Sequence, residues 1–132
     1  MPRKRVQDWL IVTESQHQRE LLKWWALAHR HFGLPECALL KVRNEAAGSS
    51  RIAMAIAKAE GLRKGASDLL LTVARGPWHG MWIELKKKDG GTLSEEQRIF
   101  LQEERGCGFY GVVCHGWEDA KDQIEAYLRQ QP

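Results

Sequence analysis

Two carboxylates and a lysine stand in a pattern that suits phosphodiester chemistry. Asp68 begins the apolar run DLLLTVA, and Glu84 and Lys86 lie two residues apart in MWIELKK. Side chains alternate between the two faces of a strand, so Glu84 and Lys86 would share one face and Leu85 would take the other. An ion pair on a buried face is costly unless another group uses it, which makes this pair a candidate site.

The two apolar runs are predicted to pair as an antiparallel hairpin that turns near Gly76 and Pro77. With that turn, Asp68 lies opposite or nearly opposite Glu84, where facing Cβ atoms are about 4.5–5.5 Å apart. Two carboxylates this close repel each other, and a divalent cation would relieve the repulsion. Oxygen ligands of this kind suit Mg²⁺. Lys86, on the same face, would orient the attacking water or offset charge in the transition state.

Each of these residues also has an explanation that involves no chemistry. Asp68 could follow a turn at Gly65 and cap a loop. A Glu-x-Lys triplet alone is weak evidence, because such pairs at a strand edge are usually solvated. The hairpin spacing and the apolar Leu85 between Glu84 and Lys86 favour a site.

Helices and strands that would position these residues alternate along the chain. The predicted helices cover 14–30, 49–61, 94–104 and 117–129, and the predicted strands cover 37–43, 68–74, 81–87 and 109–115. Thr13 with Gln16, and Ser94 with Gln97, form capping boxes that begin two of the helices. The order α-β-α-β-β-α-β-α predicts an α/β fold with a mixed central sheet of about four strands flanked by helices. A chain of 132 residues suits one domain, 1–132.

Helical spacing predicts which helix faces pack on the core. The stripe of the first helix begins at a carboxylate, which is therefore expected to face inward. Its members are Glu14, Leu21, Trp25 and Ala28. The inner residues predicted for the second helix are Ile52, Ala55, Ile56 and Ala59. Cys37 and Cys114 lie in apolar runs and are expected to be small core residues.

Composition excludes several classes of protein. Apolar residues make up 43% of the chain, too many for a disordered protein, and no apolar run approaches the roughly 18–20 residues of a membrane span. The three cysteines include no C-x-x-C pair, so neither a disulfide framework nor a zinc knuckle is indicated. The net charge of +3 is compatible with a nucleic-acid partner without requiring one. We expect a soluble, intracellular, cytoplasmic protein with no membrane partner.

The motifs GASDLLL, IELK and LSEEQ together resemble the VRR-NUC domain (virus-type replication-repair nuclease) of the PD-(D/E)XK superfamily. The resemblance runs from ESQHQ through NEAAGSSRIA to YGVVCHGWEDA, and it is greatest to compact stand-alone phage and bacterial members. It implies a restriction-endonuclease-like core. Ser67 stands where the superfamily has its proline, which alters a backbone constraint rather than the chemistry.

The resemblance implies a metal-dependent DNA endonuclease that uses Mg²⁺, with Mn²⁺ as a substitute. It makes Asp68 and Glu84 metal ligands and Lys86 the catalytic lysine. The main-chain carbonyl of Leu85 is a further ligand in such sites.

Two more residues gain a role from the resemblance. An acidic ligand on the first helix falls on Glu14, although a first-turn glutamate is also favoured by the helix dipole alone. A glutamine that supports the catalytic residues falls on Gln97, although the capping box with Ser94 would also account for it.

Basic residues near the motif are candidates for binding DNA phosphates, although a run of charges is usually a solvated face. Close to the motif these are Arg63, Lys64 and Lys88. The N-terminal group is Arg3, Lys4 and Arg5, in a stretch, 1–8, that is either a flexible DNA-contacting arm or a soluble tail.

Stand-alone relatives imply a homodimer that cuts branched DNA such as a four-way junction. Two alternatives remain: a nuclease of the same fold that acts on flap, nicked or single-stranded DNA, and a catalytically silent DNA-binding module. Asp68, Glu84 and Lys86 argue against silence, because a protein that only binds DNA has no need for two carboxylates facing phosphate.

Overall fold

The described part of the chain, residues 13–43 and 50–132 of a computed structural model, alternates helices and strands in the predicted order. The helices are α1 (Glu14–Ala28), α2 (Arg51–Ala59), α3 (Glu95–Gly106) and α4 (Trp117–Leu128). The strands are β1 (Leu39–Lys41), β2 (Leu69–Leu71), β3 (Gly80–Lys86) and β4 (Phe109–His115). None of these helices is both long enough and apolar enough to cross a membrane.

The strands form one mixed sheet in the order β1-β2-β3-β4, which confirms the predicted fold class. β1 and β3 are both antiparallel to β2, and β4 is parallel to β3. In the β2–β3 hairpin, Leu69 pairs with Ile83 and so continues to Asp68 opposite Glu84. The hairpin geometry that the sequence predicts for the two carboxylates is therefore present.

β3 is a central strand, and all seven of its residues are buried. Those that join α1 and α4 in the hydrophobic core are Met81, Ile83 and Leu85. On the other face, Trp82 packs edge-on against Phe100 of α3, with ring centroids 5.0 Å apart. Because side chains alternate along a strand, Glu84 and Lys86 lie on the face of Trp82 and are covered by α3.

The core-facing stripe of α1 begins one turn later than predicted. His17, Leu21 and Trp25 are the buried residues of this helix, whereas Glu14 is exposed. The predicted inward orientation of Glu14 is therefore wrong. Thr13 does form the capping box with Gln16, and Glu14 lies in the first turn, where the helix dipole favours a solvated carboxylate.

The apolar face of α2 points outward, so the predicted inner residues of this helix are wrong. Ile52 is 75% exposed and Ile56 is 53% exposed, and the other two, Ala55 and Ala59, are exposed as well. Ala57, on another side of the helix, is the one buried residue of α2. An amphipathic pattern identifies an apolar face but not the side on which the rest of the domain lies.

Cys37 is exposed, contrary to the prediction, whereas Cys114 is buried as predicted. The first strand is shorter than expected, because Glu36–Ala38 forms a 3₁₀ turn before β1 begins. Cys37 lies in this turn and so does not join the alternating pattern of a strand.

Candidate active site

Three polar side chains meet where β3 ends beneath α3. Glu84 is 1% exposed and Lys86 is 6% exposed, which is unusual for charged residues. Nε2 of Gln97 donates to Oε1 of Glu84 at 2.8 Å, and Nζ of Lys86 donates to Oε1 of Gln97 at 3.0 Å. The same Nζ lies 3.5 Å from Oε1 of Glu84. The three side chains therefore form a closed set of contacts.

Gln97 both completes a capping box and contacts the side chains of Glu84 and Lys86. Its N–H donates to Oγ of Ser94 at 3.2 Å, and its Oε1 accepts from the N–H of Ser94 at 2.9 Å, which completes the capping box of α3. Because Oε1 accepts from both Ser94 and Lys86, the amide nitrogen must face Glu84. The start of α3 thus fixes the orientation of a side chain in the site.

Asp68 approaches the site from β2. Its Oδ2 accepts a hydrogen bond from the backbone N–H of Leu85 at 2.8 Å. This contact ties the carboxylate to the backbone between Glu84 and Lys86. Two of the predicted ligands, Asp68 and Glu84, are thereby brought together, with the backbone of Leu85 beside them.

Glu84 is held where its ionised form is disfavoured. Burial raises the pKa of Glu84, the charge of Asp68 raises it further, and Lys86 only partly offsets them, so the value reaches about 8. The second oxygen, Oε2, is buried and has no hydrogen-bond partner. A desolvated carboxylate oxygen beside a second carboxylate is costly unless the group is protonated or a cation binds there.

The donor set fits a hard divalent cation. Mg²⁺ prefers oxygen ligands, accepts one or two carboxylates and retains several waters, so Asp68 and Glu84 are sufficient protein ligands. Within residues 13–43 and 50–132, no three acidic, histidine or cysteine side chains gather as a metal site. The structure therefore does not bring Glu14 into a three-carboxylate cluster with Asp68 and Glu84.

A buried histidine on α1, His17, was not predicted by the sequence analysis. His17 is 3% exposed, and its Nδ1 accepts from the backbone N–H of Trp117 at 3.1 Å, while its Nε2 has no partner. Burial lowers the pKa of His17, with Glu118 opposing that effect. The i, i+4, i+8 spacing of His17 with Leu21 and Trp25 would have indicated that it faces the core.

Three of the basic candidates lie at the surface of the described part of the chain. Arg63, Lys64 and Lys88 are exposed. Nζ of Lys64 lies 3.3 Å from Glu96, the neighbour of Gln97, and Nζ of Lys88 lies 4.0 Å from Glu118. The remaining three candidates, Arg3, Lys4 and Arg5, lie outside the described residues.

The sheet is mixed and four-stranded, helices flank it, and an acidic pair and a lysine lie at the end of a central strand. These features define an α/β domain with a nuclease-type fold. The chain belongs to the VRR-NUC domain family, whose family model matches residues 2–118. A solved structure described as a VRR_NUC domain protein is similar over 91% of both chains, with a TM-score of 0.78 and 22% identity. No curated protein matches the sequence. The resemblance seen in the motifs is confirmed.

Proposed function

We propose that this protein is a metal-dependent endonuclease that hydrolyses phosphodiester bonds of DNA. The observation that supports this most directly is the unpartnered, buried Oε2 of Glu84, a side chain that lies near Asp68 and whose other oxygen, Oε1, is 3.5 Å from the ammonium of Lys86. A purely structural strand end would gain nothing from two neighbouring carboxylates, since each raises the cost of ionising the other.

The chain's own residues would share the work as follows. Asp68 and Glu84, with the carbonyl of Leu85, would hold Mg²⁺ or Mn²⁺, and a role for Glu14 stays a prediction. The cation would supply charge neutralisation at the scissile phosphate and a more acidic attacking water. Lys86 would orient that water and offset developing negative charge.

Gln97 would hold the other two side chains of the site in place. Its amide contacts Glu84 on one side and Lys86 on the other, and its backbone is fixed in the first turn of α3. Binding of a cation to the free Oε2 of Glu84 would leave the Gln97 contact to Oε1 unchanged.

We propose branched DNA, such as a four-way junction, as the substrate. A domain of 132 residues offers little surface for reading bases, which favours recognition of DNA shape. The exposed side chains of Arg63, Lys64 and Lys88 would contact backbone phosphates on either side of the site, with Arg3, Lys4 and Arg5 as further candidates.

Cleavage of labelled DNA tests the proposal. A four-way junction, linear duplex, flap and single strand would each be incubated with Mg²⁺, Mn²⁺ or EDTA. We expect metal-dependent paired cuts in the junction that are lost in Asp68→Asn and kept in Asp89→Asn, a matched change at an exposed aspartate in the loop after β3. Cleavage of another substrate in place of the junction would contradict the proposed substrate but keep the nuclease activity. Tight binding with no cleavage in the presence of any metal would indicate that the protein is a DNA-binding module rather than a nuclease.

We further propose that two copies of the chain pair through the exposed apolar face of α2. Ile52 and Ile56 are one helical turn apart and largely exposed, and Ala55 and Ala59 complete the face. A helix of nine residues with one buried side chain gains little stability from its own domain. Packing this face on the same face of a second copy would give a two-fold interface and two sites for symmetric cutting.

Measuring the mass of the protein in solution tests this pairing. The wild type is expected to have the mass of two chains, and a variant with Ile52→Lys and Ile56→Lys the mass of one, since lysine keeps helix propensity but cannot be buried there. Leu27→Lys, at a position on α1 that is 78% exposed, is the matched control and should remain dimeric. A wild type that is monomeric at all concentrations, or a dimeric double variant, would contradict the α2 interface.

A further inference from the structure

The loop after β3 returns over the side chain of Lys86. Residues 87–94 connect β3 to α3, and Lys87 and Lys88 at its start are exposed, whereas Lys86 is 6% exposed. The loop comes back at Ser94, whose N–H donates to the same oxygen of Gln97 that accepts from Lys86. The lysine is therefore enclosed by its own following loop as well as by α3.

Gly91 is the point of closest approach between this loop and the lysine. An ideal Cβ placed on Gly91 would lie 2.7 Å from Cβ of Lys86 and 3.3 Å from both its Cγ and its Cδ. Carbon atoms in favourable contact lie about 3.5–4.0 Å apart, so even a methyl group does not fit without movement.

The Lys86 side of this contact cannot easily give way. Its Cβ is attached to the β3 backbone, where Lys86 is paired with His115 of β4 and its carbonyl accepts from the N–H of Gly116 at 2.9 Å. The backbone of Gly91 is not in the left-handed region, unlike that of Gly90, whose φ is +84°. A side chain is therefore excluded at Gly91 because the loop approaches Lys86 closely, and not because the backbone conformation is unusual.

We propose that Gly91 is a positioning residue for Lys86. The missing side chain lets the loop close over the aliphatic stem, which holds the ammonium beside Gln97 and Glu84 and excludes water from it. This inference rests on the proposed nuclease function, because Lys86 matters to catalysis only there.

Gly91→Ala would shift the lysine or lift the loop away from it. Either movement disturbs the 3.0 Å contact from Nζ to Gln97. The carboxylates should not move, because Asp68 is tied to the N–H of Leu85 and Glu84 is fixed in β3. We expect kcat to fall by about 10- to 100-fold with little change in KM or in Mn²⁺ binding, since a displacement of about 1 Å can cost that much.

Alanine substitutions at two other glycines test whether the loss of activity comes from the clash with Lys86 rather than from backbone strain or from the added methyl group itself. Gly90→Ala, in the same loop, introduces backbone strain but has nothing within 4 Å of the added methyl. Gly106→Ala, at the end of α3, has neither strain nor a neighbour within 4 Å. Both should keep near wild-type kcat, and in a Lys86→Met background Gly91→Ala should lower the rate no further.

The experiment measures cleavage kinetics of the full chain together with chemical labelling of its lysines. An amine-reactive ester, quantified by mass spectrometry, should label Lys86 poorly in the wild type and well in Gly91→Ala, while Lys87 is labelled equally in both. Protection of Lys86 that is unchanged in Gly91→Ala, or a loss of kcat as large in Gly90→Ala, would overturn the proposal. A wild type that never cleaves DNA would instead remove the nuclease function, and labelling would still decide whether Gly91 shields Lys86.

Discussion

Replacing Lys86 by methionine is expected to lower the single-turnover rate of DNA cleavage by about 10²- to 10³-fold. Methionine keeps an unbranched stem and removes the charge, so the packing of β3 should be retained. In the wild type, Nζ lies 3.0 Å from Oε1 of Gln97 and 3.5 Å from Oε1 of Glu84, whose other oxygen is the proposed ligand of the cation. Under the proposed mechanism, the ammonium would offset the negative charge that develops on the phosphate.

Metal binding distinguishes this catalytic loss from misfolding. Lys86 is a positive charge beside Glu84, so removing it should leave the affinity for Mn²⁺ unchanged or tighter. Lys87→Met is the matched control, because Lys87 is exposed and adjacent in sequence. Titration with Mn²⁺ and cleavage at saturating DNA would be measured for both variants. Wild-type cleavage by Lys86→Met, or an equal loss in Lys87→Met, would contradict the assigned role.

The metal-free protein is expected to become less stable as the pH rises from 5 to 8, because of Glu84. The pKa of Glu84 is raised from 4.5 to about 8, first by burial and then by the charge of Asp68. A group whose pKa is raised on folding stabilises the protein below its unfolded pKa and loses that contribution as the pH rises through the folded value. The loss is on the order of a few kcal/mol for a shift of this size.

Glu84→Gln should remove this pH dependence, since the amide is neutral at every pH. Urea unfolding in EDTA at several pH values would give the difference between wild type and variant, and groups common to both proteins, such as His17, cancel in it. The variant should be the more stable protein at pH 8, and Mg²⁺ should stabilise the wild type but not the variant. Glu103→Gln, at an exposed glutamate, is the control. An identical pH dependence for wild type and Glu84→Gln would show that ionisation of Glu84 does not destabilise the folded protein.

The arrangement of side chains at the end of β3 could be predicted from the sequence because strand geometry leaves little freedom. A period of two puts Glu84 and Lys86 on one face, and the hairpin turn then fixes Asp68 opposite Glu84. Gln97 could be placed because a capping box and the site both require it in the first turn of α3. These constraints act between residues that are close together in the chain, so the sequence alone predicts them.

The features that the sequence did not predict depend on contacts distant along the chain. The second strand ends at Leu71 rather than residue 74, and the carbonyl of Val73, beyond that end, accepts from the hydroxyl of Tyr127 in α4. The outward face of α2 could not be distinguished from an inward one, since its pattern is the same in both orientations. The role of Gly91 depends on where a loop returns, and no spacing rule specifies that.

The central position of β3 has a consequence for how the protein fluctuates. Glu84 and Lys86 lie in a strand that pairs with β4 along its whole length and with β2 from Met81 to Ile83. Local opening of α2, which has a single buried residue, would leave that double ladder intact. Moving Glu84 relative to Lys86 requires breaking the β3–β4 ladder, so we expect the amides of these two residues to be among the most protected of the fold and those of α2, in a single copy of the chain, among the least.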